Sequence, residues 1–110
     1  MNRYTLHVPL VLNDGAPTPR AALRGIEDRL VDRFGGFTAT TGTGGWKGAD
    51  RAYVEPVQLY HVDTDRYGVW DELRELAQTI ATQLGQEAVY ITRQTIFAAM
   101  IAPAVAEEAA

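Results

Sequence analysis

Hydrophobic and polar residues alternate along the first segment of the chain, residues 3–12. Alternation with a period of two predicts a β-strand that is buried on one face. Pro9 removes one backbone N–H from this strand, so we expect the strand either to lie at a sheet edge or to pair weakly at that point. Between Thr18, a candidate N-cap residue, and Gly35, apolar residues recur every three or four positions. That spacing predicts an amphipathic helix that ends at the glycine.

The same two patterns return in the second part of the chain. The predicted elements are strands at residues 37–46, 52–63 and 88–92 and a helix at residues 69–84. Residues 96–101, with the sequence IFAAMI, predict either a continuation of the fourth strand past a bulge or a short fifth strand. Residues 103–110 predict a disordered C-terminal tail. Residues 1–102 are then expected to form a single domain.

These elements follow one another in the order β-α-β-β-α-β. An antiparallel sheet with two helices on one face is the ferredoxin-like arrangement of the α+β class. The sequence therefore predicts a ferredoxin-like fold in which helices cover one face of the sheet and leave the other face open.

The residues on the open sheet face are predicted from the alternation within each strand. The residues expected to face the helices are Leu6, Val8, Leu10, Val57, Leu59, Val89 and Ile91. The residues expected on the open face are His7, Val11, Thr38, Thr40, Gln58, Tyr60, Val62, Tyr90 and Thr92. A sheet face with this mixture of apolar and aromatic groups is typical of an interface between subunits or of a ligand cleft. We expect a homo-oligomer that assembles through the open face, with a cleft for an aromatic ligand as the alternative.

The composition of the 110 residues narrows the chemistry. Cysteine and serine are both absent, which excludes disulfides, thiolate metal sites and serine or cysteine nucleophiles. With two histidines, a histidine-rich metal site is not expected, and neither is a cofactor. A net charge of −4 argues against a nucleic-acid-coating surface. Because the chain shows no signal-like apolar region and no apolar run of membrane-spanning length, we expect a cytoplasmic protein without a membrane partner.

The segment from Thr41 to Gly48, TGTGGWKG, is rich in glycine but lacks the spacing of a phosphate-binding P-loop. Glycines in a strand that approaches a hairpin permit a bulge or the close approach of another backbone. Trp46 offers a flat ring to a base or to a neighbouring subunit, and Lys47 offers a charge. The alternative is a bulged hairpin in which Trp46 is packed as a lid.

Glu55 interrupts an otherwise apolar strand and is followed by Pro56. Glutamate is disfavoured inside strands. Its carboxylate is therefore expected to be a solvated edge group or to form an ion pair with Arg51 or Arg93. The alternative is a carboxylate that acts on a ligand cation or as a base.

The two histidines, His7 and His61, have opposite parities in the predicted strands. We therefore expect them on opposite faces of the sheet, each in a structural or hydrogen-bonded role.

Several segments follow the order found in a known family. They are TGGWKGA at Thr43–Ala49, Glu55 on the following strand, LRELA at Leu73–Ala77 and QEAVYI at Gln86–Ile91. With these motifs the chain resembles the phage S-adenosylmethionine lyases over about residues 37–101. The chain departs from that family in its shortness and at Gly45, where the family usually has a larger residue.

The resemblance implies a trimer with active sites between the subunits. From the residues alone a trimer or a dimer is expected, and the resemblance favours the trimer. In that family the carboxylate of S-adenosylmethionine attacks the γ-carbon of the same molecule, expels methylthioadenosine and leaves homoserine lactone. Glu55 matches the family's glutamate. Trp46 or Tyr60 is expected to stack on adenine. Thr43, Gly44 and Gly45 are expected to supply backbone hydrogen bonds. The ligand-binding residues expected for a nucleoside-like molecule are Thr43, Gly44, Gly45, Trp46, Lys47 and Tyr60.

Two other functions remain open on the sequence. One is non-catalytic binding and sequestration of a nucleotide-like metabolite, as a phage counter-defence protein would perform. The other is a structural protein that uses the open sheet only to assemble. A melting temperature that rises with ligand concentration would favour the binding protein over the structural one.

Overall fold

The computed structural model describes residues 1–105. The chain forms β1 (Asn2–Pro9), α1 (Arg20–Phe34), β2 (Thr38–Lys47), β3 (Ala52–Thr64), α2 (Val69–Leu84) and β4 (Ile91–Thr95). The four strands make one sheet in the order β2-β3-β1-β4, and every neighbouring pair is antiparallel. This order of elements and of strands confirms the predicted α+β, ferredoxin-like fold.

β1 lies inside the sheet, paired with β3 on one side and with β4 on the other. The prediction that it could be an edge strand is therefore wrong. Pro9 is the last residue of β1, where it lies opposite Val57 at the end of the ladder. Val11 was expected on the open face, but it lies beyond β1 in an isolated bridge to Pro17.

The C-terminal part of the chain also differs from its prediction. β4 begins at Ile91, although the Tyr90 carbonyl already accepts a hydrogen bond from the His7 N–H at 3.0 Å. Residues 97–105 form neither a continuation of β4 nor a fifth strand. Of the tail expected at residues 103–110, residues 106–110 lie outside the described residues.

α1 presents one apolar face to the sheet, where Ile26 and Leu30 are buried. It ends at Gly35, whose φ of 84° places it in the left-handed region that favours glycine. Thr18 does not cap the helix as expected. Its hydroxyl instead donates to the Pro9 carbonyl at 2.7 Å and ties the start of the helix to the end of β1.

α2 buries Val69, Leu73, Ala77 and Ile80, which recur at the spacing of one helical face. Gly85 ends the helix in the left-handed conformation. Neither helix within residues 1–105 is long and apolar enough to cross a membrane.

The core lies between the two helices and one face of the sheet. Its buried apolar residues are Tyr4, Leu6, Val8, Ile26, Leu30, Tyr60, Val62, Val69, Leu73, Ala77 and Ile80. Tyr60 lies opposite Leu6, and Val62 lies opposite Tyr4. Directly opposed residues of an antiparallel pair point to the same face, so both β3 residues face the helices.

The predicted orientation of β3 is therefore wrong by one residue. The residues of β3 that turn to the open face are Tyr53, Glu55, Val57, Leu59 and His61. The sequence was ambiguous here because both parities of β3 are apolar. A shift of one residue reverses every side chain of a strand, and pairing with β1 decides between the two.

Candidate functional site

The β2–β3 hairpin extends beyond the rest of the sheet. β1 pairs with β3 only as far as Val57. From the pair Gly44 and Glu55 out to the connecting loop, the two strands pair with each other alone within residues 1–105. We call residues 44–55 the hairpin arm. A two-stranded ribbon is marginally stable by itself in water, so the arm is a natural place for contact with a ligand or another chain.

Pairing within the hairpin sorts the expected site residues onto two faces. Gly44 lies opposite Glu55, and Trp46 lies opposite Tyr53. These four positions share the open face of the sheet because opposed residues point the same way. The expected site residues on the other face are Thr43, Gly45 and Lys47. The structure thus brings Glu55 and Trp46 together on one surface.

Trp46 forms an aromatic platform with Tyr53. The two rings are stacked with centroids 5.6 Å apart and an angle of 14° between their planes. Trp46 is 50% exposed, so the alternative prediction of a hairpin with Trp46 packed as a lid is wrong. The Arg51 guanidinium carbon lies 4.7 Å from the centroid of the Tyr53 ring, and the Tyr53 hydroxyl donates to Asp50 at 3.2 Å. These contacts hold Tyr53 under the indole.

Gly48 is required by this packing. A Cβ atom at position 48 would lie 2.4 Å from Cε2 of Tyr53. A side chain at this position would therefore displace the Tyr53 ring. The loop glycine therefore serves the aromatic platform rather than a phosphate group.

Glu55 is half-buried on the open face, beside Trp46 and Val57. It forms no ion pair in the part of the chain that the structure describes. Of its two expected partners, Arg51 lies over the ring of Tyr53. Arg93 lies opposite Tyr4 and so faces the helix side. The expected ion pair is therefore not formed, and the carboxylate remains available to a cation.

Two glycines of β2 make room for side chains of β3 on the open face, since Gly44 lies opposite Glu55 and Gly42 lies opposite Val57. A Cβ atom at Gly44 would come within 3.3 Å of Cγ1 of Val57, and one at Gly42 within 3.5 Å of Cδ1 of Leu59. The side chains of Val57 and Leu59 thus lean over the positions that the glycines leave vacant.

His7 and His61 both lie on the open face, which corrects the prediction that they face opposite ways. Nδ1 of His61 is 2.9 Å from the Thr5 hydroxyl, and Nε2 is 3.4 Å from the Thr40 hydroxyl. Burial lowers the pKa of both histidines, and the charge of His61 lowers the pKa of His7 further. No group of three or more candidate metal ligands occurs among residues 1–105.

Tyr60 does not lie on the open face as expected. Its side chain is 1% exposed, and its hydroxyl donates to a carboxylate oxygen of Glu27 at 2.7 Å. Burial and this bond raise its pKa well above the ordinary value. A ring buried in this way has no free face, so of the two aromatic residues expected at the site, Trp46 is the exposed one.

Tyr53 is the residue of the platform that sequence reasoning missed. A signal for it was present, because Trp46 and Tyr53 flank the hairpin loop symmetrically. Aromatic residues at directly opposed positions of a hairpin commonly pack against each other.

No protein-family model matches the sequence, and no curated protein does. Four chains of known structure match. The fold resembles that of a phage SAM lyase. The phage SAM lyase structure, solved in complex with S-methyl-5′-thioadenosine, matches with a TM-score of 0.65 and covers 84% of this chain and 79% of that chain. The sequence identity to the phage SAM lyase is 15%, so the likeness is one of fold.

Proposed function

We propose that this protein binds S-adenosylmethionine and cleaves it to methylthioadenosine and homoserine lactone. The observation that carries the proposal is the placement of Glu55 and Trp46 on one face of the hairpin arm. Support comes from the fold, which is similar to that of a phage SAM lyase in complex with S-methyl-5′-thioadenosine. S-adenosylmethionine combines cationic groups with an aromatic nucleoside. The Glu55 carboxylate suits the cationic groups, and the exposed Trp46 ring suits the nucleoside.

The proposed reaction needs no group from outside the substrate. The substrate carboxylate forms a C–O bond to its own γ-carbon while the C–S bond breaks. The electron pair of that bond goes to sulfur, which leaves as the neutral thioether of methylthioadenosine. No proton is transferred and no water is consumed. This chemistry suits a chain that lacks serine and cysteine nucleophiles.

The charges that change during the reaction indicate which group of the substrate Glu55 binds. The sulfonium and the carboxylate both lose charge as the transition state forms, whereas the α-ammonium keeps its charge. A carboxylate bound to the sulfonium would stabilise the substrate more than the transition state and would slow the reaction. We therefore propose that Glu55 holds the ammonium and thereby orients the attacking carboxylate. Orientation of this kind can contribute several kcal/mol to lowering a barrier.

Trp46 is the proposed platform for adenine. One face of its indole rests on Tyr53, which fixes the plane of the ring and leaves the other side to the ligand. Thr43, Gly44 and Gly45 would supply backbone hydrogen bonds, because β2 is the outermost strand of the sheet. Lys47 faces the other side of the ribbon, and we assign it no contact with the same ligand.

We also propose that the chain works as a homo-oligomer, with the open face at the interface. The apolar groups on that face are Pro9, Val57, Leu59 and Tyr90, of which Tyr90 is 66% exposed. Apolar sheet faces of this kind are normally covered. A trimer follows from the resemblance described above.

The direct test is incubation of the purified protein with S-adenosylmethionine, followed by chromatography for methylthioadenosine and homoserine lactone. We expect Glu55→Gln to remain folded with an unchanged melting temperature. Hydrogen bonds to charged groups contribute about 1.5–3 kcal/mol, so turnover should fall roughly tenfold to hundredfold.

The matched control is Glu75→Gln, which removes an exposed carboxylate from α2 and should leave turnover unchanged. A wild-type protein that forms no methylthioadenosine would refute the lyase proposal. A purely thermal defect in Glu55→Gln, with normal turnover, would remove Glu55 from it.

The second candidate function is binding of the nucleoside without cleavage. Trp46 favours it independently, because a free indole face can stack on adenine whatever chemistry follows. In that case, methylthioadenosine and S-adenosylmethionine would both raise the melting temperature with increasing concentration, and no product would form.

A further inference from the structure

The chain beyond β4 is apolar and exposed to solvent. Residues 97–105, with the sequence FAAMIAPAV, carry no charged side chain. Phe97 and Met100 are fully exposed, Ile101 is 87% exposed and Val105 is 93% exposed. We call these residues the C-terminal segment. Contiguous exposed apolar groups of this kind mark a surface that contacts another molecule.

The C-terminal segment is not built to fold back on its own domain. The Ile96 N–H donates to the Met1 carbonyl at 2.9 Å, and the chain then leaves the sheet. A reversal of direction needs residues such as Gly, Pro, Asn, Asp or Ser. None of these occurs from Phe97 to Ala102. The buried core includes none of residues 97–105, so the apolar groups of the segment are left for contact with another chain.

A suitable surface lies on the opposite edge of the sheet. Within residues 1–105, β2 has a single neighbouring strand, β3. It is ten residues long and has no proline and no charged residue before Lys47. Natural proteins protect exposed edges with charges, prolines or short strands. β4, the other edge, is five residues long and carries Arg93, whereas β2 has none of these protections over Thr38–Gly42.

We propose that residues Phe97–Ala102 of one copy add as a strand to the β2 edge of a second copy, along Thr38–Gly42. An extended, uncharged segment without proline or glycine meets an unprotected edge rich in β-branched threonine, which is the chemistry of strand addition. Pro103 ends the added strand because proline cannot continue the ladder. The glycine-rich Thr43–Gly45 part of β2 remains free for the proposed ligand.

This contact joins the C-terminal segment of one copy to the β2 edge of another. Each copy therefore donates one C-terminal segment and accepts one. Contacts between unlike surfaces close into rings when the rotation permits, and a ring of three agrees with the proposed trimer. The inference concerns assembly and does not depend on the chemistry proposed for S-adenosylmethionine.

Cross-linking between two preparations tests the contact directly, because the chain has no cysteine of its own. One preparation carries Ala99→Cys, and the other carries Ala39→Cys in β2. After mixing and exchange of subunits, a short bis-maleimide should give a covalent heterodimer whose cross-linked peptide joins the two positions. The control pairs Ala99→Cys with Ala21→Cys on the exposed side of α1 and should give no heterodimer.

Three results would overturn the proposal. The first is the absence of the Ala39–Ala99 cross-link, and the second is an equal yield with Ala21→Cys. The third is self-linking of Ala39→Cys without linking to Ala99→Cys, because this would place β2 against β2.

Truncation gives an independent measurement. A chain that stops after Ile96 keeps the bond to Met1, so we expect native near-ultraviolet circular dichroism but a smaller mass by light scattering than the full chain. The double variant Phe97→Asp/Met100→Asp should behave in the same way. Val105→Asp, placed beyond Pro103, should keep the full mass. A full chain that is monomeric, or a folded truncated chain with unchanged mass, would contradict the proposal.

Discussion

At the tip of the hairpin arm, half of the Trp46 surface stays in water although its ring is stacked on Tyr53. The core does not need this indole, because the buried cluster lies on the other side of the sheet. Gly48 makes room for Tyr53 and so maintains the stack. Three residues near one loop thus serve a surface feature rather than stability, which is typical of binding loops on a rigid scaffold.

We expect Trp46→Ala to leave the melting temperature of the unliganded protein unchanged and to weaken binding of methylthioadenosine. Loss of an aromatic stacking platform costs about 1–3 kcal/mol of binding free energy, which titration calorimetry can measure. Tyr67→Ala removes a fully exposed ring elsewhere and serves as the control. A Trp46→Ala protein that unfolds would show instead that the indole supports the fold.

At the scale of the elements, the helices owe their positions to buried faces and their ends to glycine. α1 contains one glycine that has no such role. Gly25 lies in the helix interior on the exposed side, and a Cβ atom there would have no neighbour within 4 Å. Gly35, by contrast, holds the left-handed conformation that ends α1.

The two glycines are therefore expected to respond in opposite directions to the same substitution. Gly25→Ala should raise the free energy of unfolding by about 0.5–1 kcal/mol, because alanine loses less conformational entropy in a helix. Gly35→Ala should lower it by roughly 1–2 kcal/mol, the cost of a left-handed residue with a side chain. Urea unfolding of both variants measures the two changes. Equal signs would show that α1 does not end as described.

At the scale of the whole molecule, the described chain is 72 Å long and 28 by 26 Å across. The hairpin arm leaves the sheet at the end of β1, and the C-terminal segment leaves it at the start of β1. Between them, His7 and His61 occupy the middle of the open face. The hairpin arm and the C-terminal segment thus extend from opposite ends of the sheet.

The two histidines also make the stability of the whole molecule depend on pH. Burial lowers the pKa of each below the ordinary value of 6.5. The unfolded chain therefore binds more protons than the folded chain as the pH falls below that value. The contribution of the two histidines to the free energy of unfolding is expected in full well above pH 6.5. It is expected to decrease as the pH falls through 6.5 towards the lower pKa values of the folded state.

Urea unfolding at several pH values between about 7.5 and 5 measures this decrease. His7→Gln should make this decrease in the free energy of unfolding smaller, because it removes one of the two histidines. The Arg3 hydrogen bond lowers the pKa of Asp63 below 3.8, so this carboxylate acts in a lower pH range and does not interfere. A free energy of unfolding that stays constant or rises as the pH falls would contradict the assignment.

The sequence by itself determined the order of the elements, the bounds of α2 and the exclusion of serine and cysteine chemistry. Helical and strand periodicities are local properties of the chain, and the glycines that end the helices are adjacent to them. The apolar stripe predicts residues 69–84, and the helix forms over Val69–Leu84. The hairpin that carries Trp46 and Glu55 is likewise indicated by its own residues.

Only the tertiary structure decided which side of β3 faces the helices. Val57 and Leu59 are as apolar as Tyr60 and Val62, so alternation within the strand permits either orientation. The register with β1, a contact between distant parts of the chain, makes the choice. That choice buries Tyr60, turns His61 to the same face as His7 and puts the face shared by Glu55 and Trp46 on the open side of the sheet. Side-chain direction in a strand is set by its partner strand, which no local pattern contains.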